Sequence, residues 1–316
     1  MANRSEKQPA WDGILLVDKP MDFTSHDVVA KLRGILRQRR IGHAGTLDPM
    51  ATGLLVVLLG SATRASDYAS AARKSYRARL KLGITTDTQD ITGTVLEQQP
   101  VTVTEQQLRD TLVKFTGEID QLPPMYSAVQ KDGVRLYDLA RKGIDVERES
   151  RRITIHGLEL EACLEEDQYD LLVDCSKGTY VRTLAHDIGA DLGCGGCLTA
   201  LRRVESGGLT VDKALTLQQV EALRDSGELA QHILPTEQVF AALPVVTVTP
   251  EGDERCKNGA FLRDRHLSGG TIPPEGTLCR VRASDGRFLL LAKSAPLEKG
   301  GLALFCQTTF FQKDQL

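Results

Sequence analysis

The chain has little of several features that would place it in a specialised class. Its 316 residues include seven cysteines, an odd number that suits a reducing compartment better than a disulfide framework. No stretch approaches the roughly 18 apolar residues that a membrane helix requires. Segment 1–10 is polar, so neither a signal peptide nor an anchor is expected. We therefore expect a cytoplasmic protein that does not contact a membrane.

An excess of positive charge is also missing. The net charge is −3, which excludes a protein that coats nucleic acid indiscriminately but leaves room for a local basic face. Arg37, Arg39 and Arg40 form one basic cluster, and Arg202 and Arg203 form another. Each cluster is either solvated surface or a set of phosphate contacts.

A metal site is not expected either. Cys194 and Cys197 have the spacing of half a zinc site or of a redox pair, but no second C-x-x-C or H-x-x-x-H follows. We interpret the two glycines between them as a turn after a helix.

The sequence does contain enough apolar residues to form a core. Of its residues 41% are hydrophobic and 26% are charged, as in globular proteins.

Periodic patterns predict a mixture of helices and strands without a regular strand-helix-strand repeat. This mixture favours an α+β domain with a mixed, largely antiparallel sheet over a doubly wound one. The predicted elements are a strand at 13–17 ended by Asp18-Lys19-Pro20, a helix capped by Thr24 or Ser25, strands at 54–59, 75–82, 153–160 and 170–175, helices opened by capping boxes at Thr104 and Thr216, and a helix over 181–192.

The pattern of predicted elements changes near Leu243. Short strand patterns at 245–248, 278–281, 288–291 and 302–305 are separated by glycine and proline turns. We therefore predict two domains, a catalytic domain over 1–242 and a small β-barrel-like domain over 243–316.

The segment 42–53 holds the most distinctive residues. Three glycines, a proline and two threonines predict a shaped loop rather than a helix or strand. The loop carries one carboxylate, Asp48, and one imidazole, His43. A rigid loop can present such a carboxylate to a substrate. The alternative is a structural turn in which Asp48 bonds its own backbone.

Two tyrosines stand among cations. Tyr76 lies beside Arg77 on the strand predicted at 75–82, and Tyr180 precedes Arg182 at a helix entry. Aromatic rings interleaved with cations can hold an unstacked base above a phosphate backbone. For each tyrosine the alternative is ordinary half-buried packing.

Segment 42–53 resembles the catalytic motif of the TruB family of tRNA pseudouridine synthases, G-H-x-G-T-L-D-P-x-A-x-G, at every fixed position. Segments 18–20, 75–76, 123–128 and 177–183 resemble further motifs of that family, and the likeness covers about 13–204. One departure is Arg64, where the family often has lysine; the charge is kept and only a phosphate contact is in doubt.

The resemblance implies an isomerase that converts the T-loop uridine of tRNA (position 55) to pseudouridine. The N1–C1′ bond breaks, the base turns, and C5 bonds to C1′, so no cofactor is needed. By resemblance Asp48 is the catalytic carboxylate and Arg182 pairs with it, which favours the ionised acid by about 1–3 pKa units. Attack at C1′, attack on the ring and sugar-proton abstraction all remain open.

The resemblance also implies base flipping, whose cost of a few kcal/mol a base-sized pocket must offset. The implied partner is the T-arm and elbow of tRNA, bound by a monomer without an obligatory protein partner. The substrate-binding residues implied are His43, Tyr76, Tyr180, Leu201, Lys19 and Arg64.

Two further segments are implied to contact RNA. An insertion over 121–152 closes over the RNA; 120–152 holds seven Lys/Arg against six Asp/Glu, so individual contacts must carry this role. It includes Asp132-Gly133 and a short predicted helix near 136–141. The C-terminal domain resembles a PUA-type RNA-binding module for the acceptor end, with a stabilising cap as the alternative.

The sequence leaves three other functions to compare with this one. An RNA-guided ribosomal RNA pseudouridine synthase shares these motifs but depends on partner proteins and a guide. A tRNA-binding folding factor with secondary catalysis would still function when Asp48 is replaced. An aspartate-based hydrolase fits poorly because no second acid, histidine base or metal cluster stands at a suggestive spacing.

Overall fold

The computed structural model describes residues 11–127, 129–131, 133–165 and 167–311. The polar segment 1–10, Ala128 of the fourth motif and Asp132 of the insertion lie outside the described residues. The α-helices are α1 (Ser25–Leu36), α2 (Ser66–Ser70), α3 (Glu105–Lys114), α4 (Leu136–Ala140), α5 (Val181–Asp191), α6 (Leu217–Ser226) and α7 (Pro250–Lys257).

The strands are β1 (Gly13–Lys19), β2 (Ile41–Ala44), β3 (Thr52–Leu59), β4 (Lys74–Leu82), β5 (Ile84–Thr86), β6 (Val95–Gln98), β7 (Gly117–Gln121), β8 (Gln130–Lys131), β9 (Val134–Arg135), β10 (Arg151–Cys163), β11 (Gln168–Cys175), β12 (Gly196–Ser206), β13 (Leu209–Thr210), β14 (Ile233–Leu234), β15 (Val245–Thr247), β16 (Leu278–Arg282), β17 (Phe288–Pro296) and β18 (Leu302–Thr309).

One large sheet organises the first three quarters of the chain. Its path is β14-β1-β3-β12-β4-β11-β10-β7, with β2 on β3 and β13 on β12. All pairings are antiparallel except the short parallel contact of β3 with β12, where Gly53 lies opposite Arg203. At Gly53 a β-carbon would lie 2.3 Å from the Arg203 carbonyl oxygen, so only glycine permits this crossing. The prediction of a mixed, largely antiparallel α+β fold is confirmed.

Helices cover the sheet in two places. Around β1 and β3, the buried residues of α1 and α6 form one apolar core, in which Leu32 and Val220 are fully buried. Beside β4 and β10–β12, α3 and α5 form another, which also takes in Leu47, Met50 and Ala51. The segment that follows β2 is therefore anchored in the main core by its apolar side chains.

Local signals placed the starts of three helices correctly. Thr24 caps α1 and forms a capping box with Asp27, and capping boxes open α3 at Thr104 and α6 at Thr216. The prediction that β1 ends before Asp18 is wrong, because the ladder with β3 continues to the pair Lys19–Gly53.

Segment 42–53 is also more regular than predicted. Its first residues belong to β2, where His43 pairs with Val57, and its last two open β3. The loop proper is therefore 45–51. The short strand forms because β3 is long enough to pair with β1 on one edge and with β2 over part of the other.

The C-terminal strands form a separate sheet in the order β15-β16-β17-β18. Within the described residues this sheet is open, so the β-barrel-like closure predicted from the sequence is not observed. Phe240, Phe288 and Phe310 pack together, with ring centroids 5.1–5.8 Å apart, and Tyr68 of α2 meets Phe240 edge-on. This aromatic cluster joins the two sheets.

Candidate active site

Asp48 lies on the irregular stretch between β2 and β3. Its neighbours Leu47, Met50 and Ala51 are buried, and the Leu47 amide donates to the hydroxyl of Ser25 at 2.8 Å. The loop is thereby fixed on both sides of Asp48, whose own side chain is 36% exposed. The sequence hypothesis of a rigid loop presenting one carboxylate agrees with this geometry.

Arg182, in the first turn of α5, lies directly against that carboxylate. Its Nε is 2.8 Å from Asp48 Oδ2, a close ion pair, and its side chain is only 5% exposed. Nη1 donates to the carbonyl of Thr88 at 3.1 Å, and Nη2 donates to the carbonyl of Tyr126 at 3.0 Å. Because two carbonyl acceptors and the Asp48 carboxylate, in three segments, surround one planar group, the guanidinium has a fixed orientation.

A second carboxylate, Asp90, was not found from the sequence. Its Oδ2 is 3.7 Å from Arg182 Nη1, and its Oδ1 accepts from the hydroxyl of Thr88 and from the amide and hydroxyl of Thr92. The only available signal was an Asp-Thr-rich turn, which is typical of many surface turns. No second acid stands at a suggestive spacing from Asp48 in the sequence, and it is the fold that brings Asp90 to the same guanidinium.

Burial and charge act on Asp48 in opposite directions. Desolvation raises the pKa of the Asp48 carboxyl, the guanidinium of Arg182 lowers it, and the nearby Asp90 raises it. The net direction is upward. The stabilising influence of Arg182 expected from the sequence is present, but burial outweighs it.

Lys19 lies beneath the loop 45–51. It is fully buried, and its ammonium donates to the carbonyls of Pro20 at 2.8 Å, Phe23 at 2.5 Å and Pro49 at 3.3 Å. Burial lowers the pKa of Lys19 to about 8, while the charge of Asp48 partly opposes that shift. The structure thus gives Lys19 a contact to the residue after Asp48, and its substrate contact stays a prediction.

Tyr76 and Leu201 lie on neighbouring strands, β4 and β12, and both are buried in the main core. Burial raises the pKa of the Tyr76 hydroxyl, which also contacts Arg203. Arg203 is fully buried, donating from Nε to the Leu54 carbonyl at 2.7 Å and from Nη2 to the Gly45 carbonyl at 3.1 Å.

The interpretation of Arg202 and Arg203 as one surface pair is therefore wrong. Successive strand residues point to opposite faces, so Arg203 enters the core while Arg202 stays on the outer face. There Arg202 makes a two-pronged ion pair with Asp18, at 2.8 and 3.0 Å.

Tyr180 and His43 are half-buried. Burial raises the pKa of the Tyr180 hydroxyl, the nearby Ser127 opposes the rise, and the charge of Asp48 adds to it. Burial and the cationic Arg203 lower the pKa of His43, whose Nδ1 has no hydrogen-bond partner among the described residues. The influence of Asp48 on the pKa of Tyr180 indicates that Tyr180 lies near the Asp48–Arg182 pair.

Arg64 lies apart from these residues. Its Nη1 donates to the carbonyl of Thr309 at 2.7 Å and to the Thr309 hydroxyl at 3.1 Å. Arg64 thus connects the 3₁₀ turn after β3 with the last strand of the C-terminal sheet. Its implied phosphate contact stays a prediction.

The structure offers little that would hold a metal. Among the described residues, no group of three or more His, Cys, Asp or Glu side chains is arranged to bind one. Cys194 and Cys197 are buried free thiols, Cys194 at the turn between α5 and β12 and Cys197 within β12. Within the same part of the chain, no helix is both long and apolar enough to cross a membrane.

Comparison with solved structures defines the fold class. The structure titled "Crystal Structure of a Cbf5-Nop10-Gar1 Complex" matches with a TM-score of 0.75 and 26% identity, covering 99% of this chain and 93% of that chain. A structure of an H/ACA RNP bound to a substrate RNA containing 2′-deoxyuridine matches at 0.73 with 24% identity, which shows the fold alone. The chain therefore has a Cbf5-like α+β fold.

Sequence comparison narrows this class. Residues 33–181 match the "TruB family pseudouridylate synthase (N terminal domain)", and residues 182–241 match the "tRNA pseudouridylate synthase B C-terminal domain". The tRNA pseudouridine synthase B of Geobacter sulfurreducens is 44% identical over 90% of this chain and 93% of its own length. That of Syntrophotalea carbinolica is 48% identical over 89% and 97%. The chain belongs to the TruB family of pseudouridylate synthases.

Proposed function

We propose that this chain isomerises a T-loop uridine of tRNA to pseudouridine, with Asp48 as the reacting carboxylate. Family membership and relatives named as tRNA pseudouridine synthases support the reaction. The single observation that supports the assignment of Asp48 is its 2.8 Å contact with the buried Arg182, on a loop fixed at both ends. The carboxylate is thus oriented and reachable.

Asp48 acts in its ionised form. It either forms a bond to the nucleoside, which is later broken, or removes a sugar proton, which is later returned. In each route the N1–C1′ bond breaks, C5 bonds to C1′, the C5 proton leaves and N1 takes up a proton, so Asp48 regains its starting state. Arg182 stabilises the carboxylate before the reaction and after its release. Because atoms and electrons balance within the nucleoside, the reaction requires no cofactor.

The target base must leave its stack to reach Asp48. Extrusion costs on the order of a few kcal/mol, and stacking of one base on an aromatic ring returns about 1–3 kcal/mol. Tyr76 stacks on the extruded base, and Tyr180 and Leu201 line its pocket. Support comes from the sheet, in which Tyr76 and Leu201 lie on adjacent strands, and from the influence of Asp48 on the pKa of Tyr180.

Residues 1–242 act as the catalytic domain and 243–316 as a PUA-type module that binds the acceptor end of tRNA. Support comes from the separate apolar core of the C-terminal sheet and from its attachment through the phenylalanine cluster and Arg64. The insertion over 121–152 closes over the bound RNA. The enzyme works in the cytoplasm as a monomer.

The test is direct. Purified chain, without any added protein or guide, is incubated with an unmodified tRNA transcript, and pseudouridine is mapped along the RNA. We expect one modified T-loop uridine with the native chain and none with Asp48→Asn, whose tRNA affinity stays within several-fold. The control Asp170→Asn removes a surface carboxylate paired with Arg79 and should behave as the native chain. Substantial product from Asp48→Asn would remove Asp48 from its role.

A further inference from the structure

Gln121, the last residue of β7, makes an unusual pair of hydrogen bonds. Its Oε1 accepts from the backbone amide of Tyr180 at 2.8 Å, and its Nε2 donates to the backbone carbonyl of the same residue at 3.0 Å. The side chain is buried, with Gln121 only 2% exposed. One side-chain amide thus pairs with both main-chain groups of Tyr180, as a neighbouring strand would.

The paired residue begins the helix that carries Arg182. Tyr180 is the N-cap of α5, and its side chain makes no capping bond. Its carbonyl accepts the first helical bond, from the Leu184 amide at 3.0 Å. Since Arg182 follows two residues later, the position of its backbone depends on where Tyr180 is held.

Gln121 also stands where the insertion leaves the sheet. It pairs across the ladder with Arg151, where the chain returns from the insertion, so both ends of the insertion meet at this residue. The first residues beyond it reach the site, because the Tyr126 carbonyl accepts from Arg182 and Ser127 contacts the Tyr180 hydroxyl.

We propose that Gln121 is a positioning residue: its two hydrogen bonds to Tyr180 fix the start of α5 so that Arg182 meets Asp48. This inference rests on the proposed role of Asp48. It adds that the residue joining the two ends of the insertion also sets the geometry of the carboxylate–guanidinium pair.

Displacement of Arg182 should change the pH dependence of activity, which loss of stability alone would not do. The charged or titratable groups that act on Asp48 are Arg182, Asp90 and Lys19, and Asp48 in turn acts on Tyr76 and Tyr180. Arg182 is the cation nearest the carboxylate. If it is displaced, ionised Asp48 loses stabilisation, so activity should disappear at a higher pH as the solution is acidified.

The experiment measures single-turnover pseudouridine formation against pH for Gln121→Met, with tRNA affinity and melting temperature alongside. Methionine keeps the length of the side chain and removes both hydrogen bonds. Gln121→Asn keeps the amide but shortens the side chain by one methylene. It replaces Gln121→Met in the experiment if that variant folds poorly. The control is Gln38→Met, since Gln38 also bonds two backbone carbonyls, those of Trp11 and Arg40, away from Arg182.

We expect the Gln121 variants to lose about tenfold to a hundredfold in rate, as misplacements near 1 Å commonly do, with the acid limb moved to higher pH and tRNA affinity nearly unchanged. Gln38→Met should keep the native profile. An equal rate loss at every pH, or a profile like that of Gln38→Met, would overturn the inference. Failure of the native chain to form pseudouridine would instead overturn the proposed function.

Discussion

Arg182 and Asp90 form a buried ion pair, with Nη1 3.7 Å from Oδ2 and side chains only 5% and 6% exposed. The same guanidinium touches Asp48, whose side chain is 36% exposed. One cation therefore serves an enclosed carboxylate and an accessible one. The enclosed carboxylate can only orient the arginine, whereas the accessible carboxylate can meet a substrate.

Replacing the shared cation should move the acid limb of the rate profile. Arg182→Met removes the charge that lowers the pKa of Asp48 and leaves desolvation and Asp90, both of which raise it. Because ionised Asp48 is the active form, activity should fail at a higher pH than in the native enzyme. The check is single-turnover rate against pH, with Arg79→Met on a surface pair as control. An unmoved limb would show that Arg182 does not act through the ionisation of Asp48.

Replacing Asp90 should move the acid limb of the rate profile in the opposite direction. Asp90→Asn removes a negative charge that raises the pKa of Asp48, so the acid limb should move to lower pH. The rate at neutral pH should nevertheless fall, because Arg182 loses a charged partner and the turn held through Thr88 and Thr92 weakens. The same pH series measures both effects. An upward displacement, as expected for Arg182→Met, would contradict this division of roles.

The sequence alone is enough to identify candidate residues whose signal is local. Asp48 and Arg182 stand in compact motifs, and the cap at Thr24 lies within one helical turn of its partner Asp27. Asp90 has no such local signal. Its turn reaches the site because the amide of Ile91 bonds the Leu198 carbonyl on β12 at 2.8 Å, a long-range pairing that no short motif encodes.

Arg203 shows a signal that was present but misread. It follows Leu201 at the two-residue spacing of a strand, and that spacing places both on the buried face. Considered as the pair Arg202-Arg203, two adjacent cations predict a basic surface.

The C-terminal sheet is open for a different reason. Closure of a barrel depends on strand stagger and tilt, which short alternating patterns do not specify.

Tyr76 should tolerate loss of its hydroxyl but not of its ring. Tyr76→Phe removes only the contact with Arg203, so we expect most of the rate to remain. Tyr76→Leu removes the aromatic face and should lose about 1–3 kcal/mol of stacking. Because Tyr76 is buried in the main core, the smaller leucine also lowers the melting temperature, but the fold stays intact. Single-turnover kinetics beside thermal melts provide the comparison. Unchanged kinetics for the leucine variant would contradict the stacking role.

Arg64 can be tested for two separable roles, attachment of the C-terminal sheet and contact with a tRNA phosphate. Its two bonds to Thr309 cross between the sheets, so Arg64→Met should lower hydrogen-exchange protection at the end of β18. Thr309→Val removes only the hydroxyl acceptor and should have a smaller effect. If Arg64 also neutralises a phosphate, the slope of log affinity against log salt should decrease by about 0.7–0.9 in Arg64→Met and stay native in Arg64→Lys. An unchanged slope with lost protection would leave Arg64 as a connection between the sheets alone.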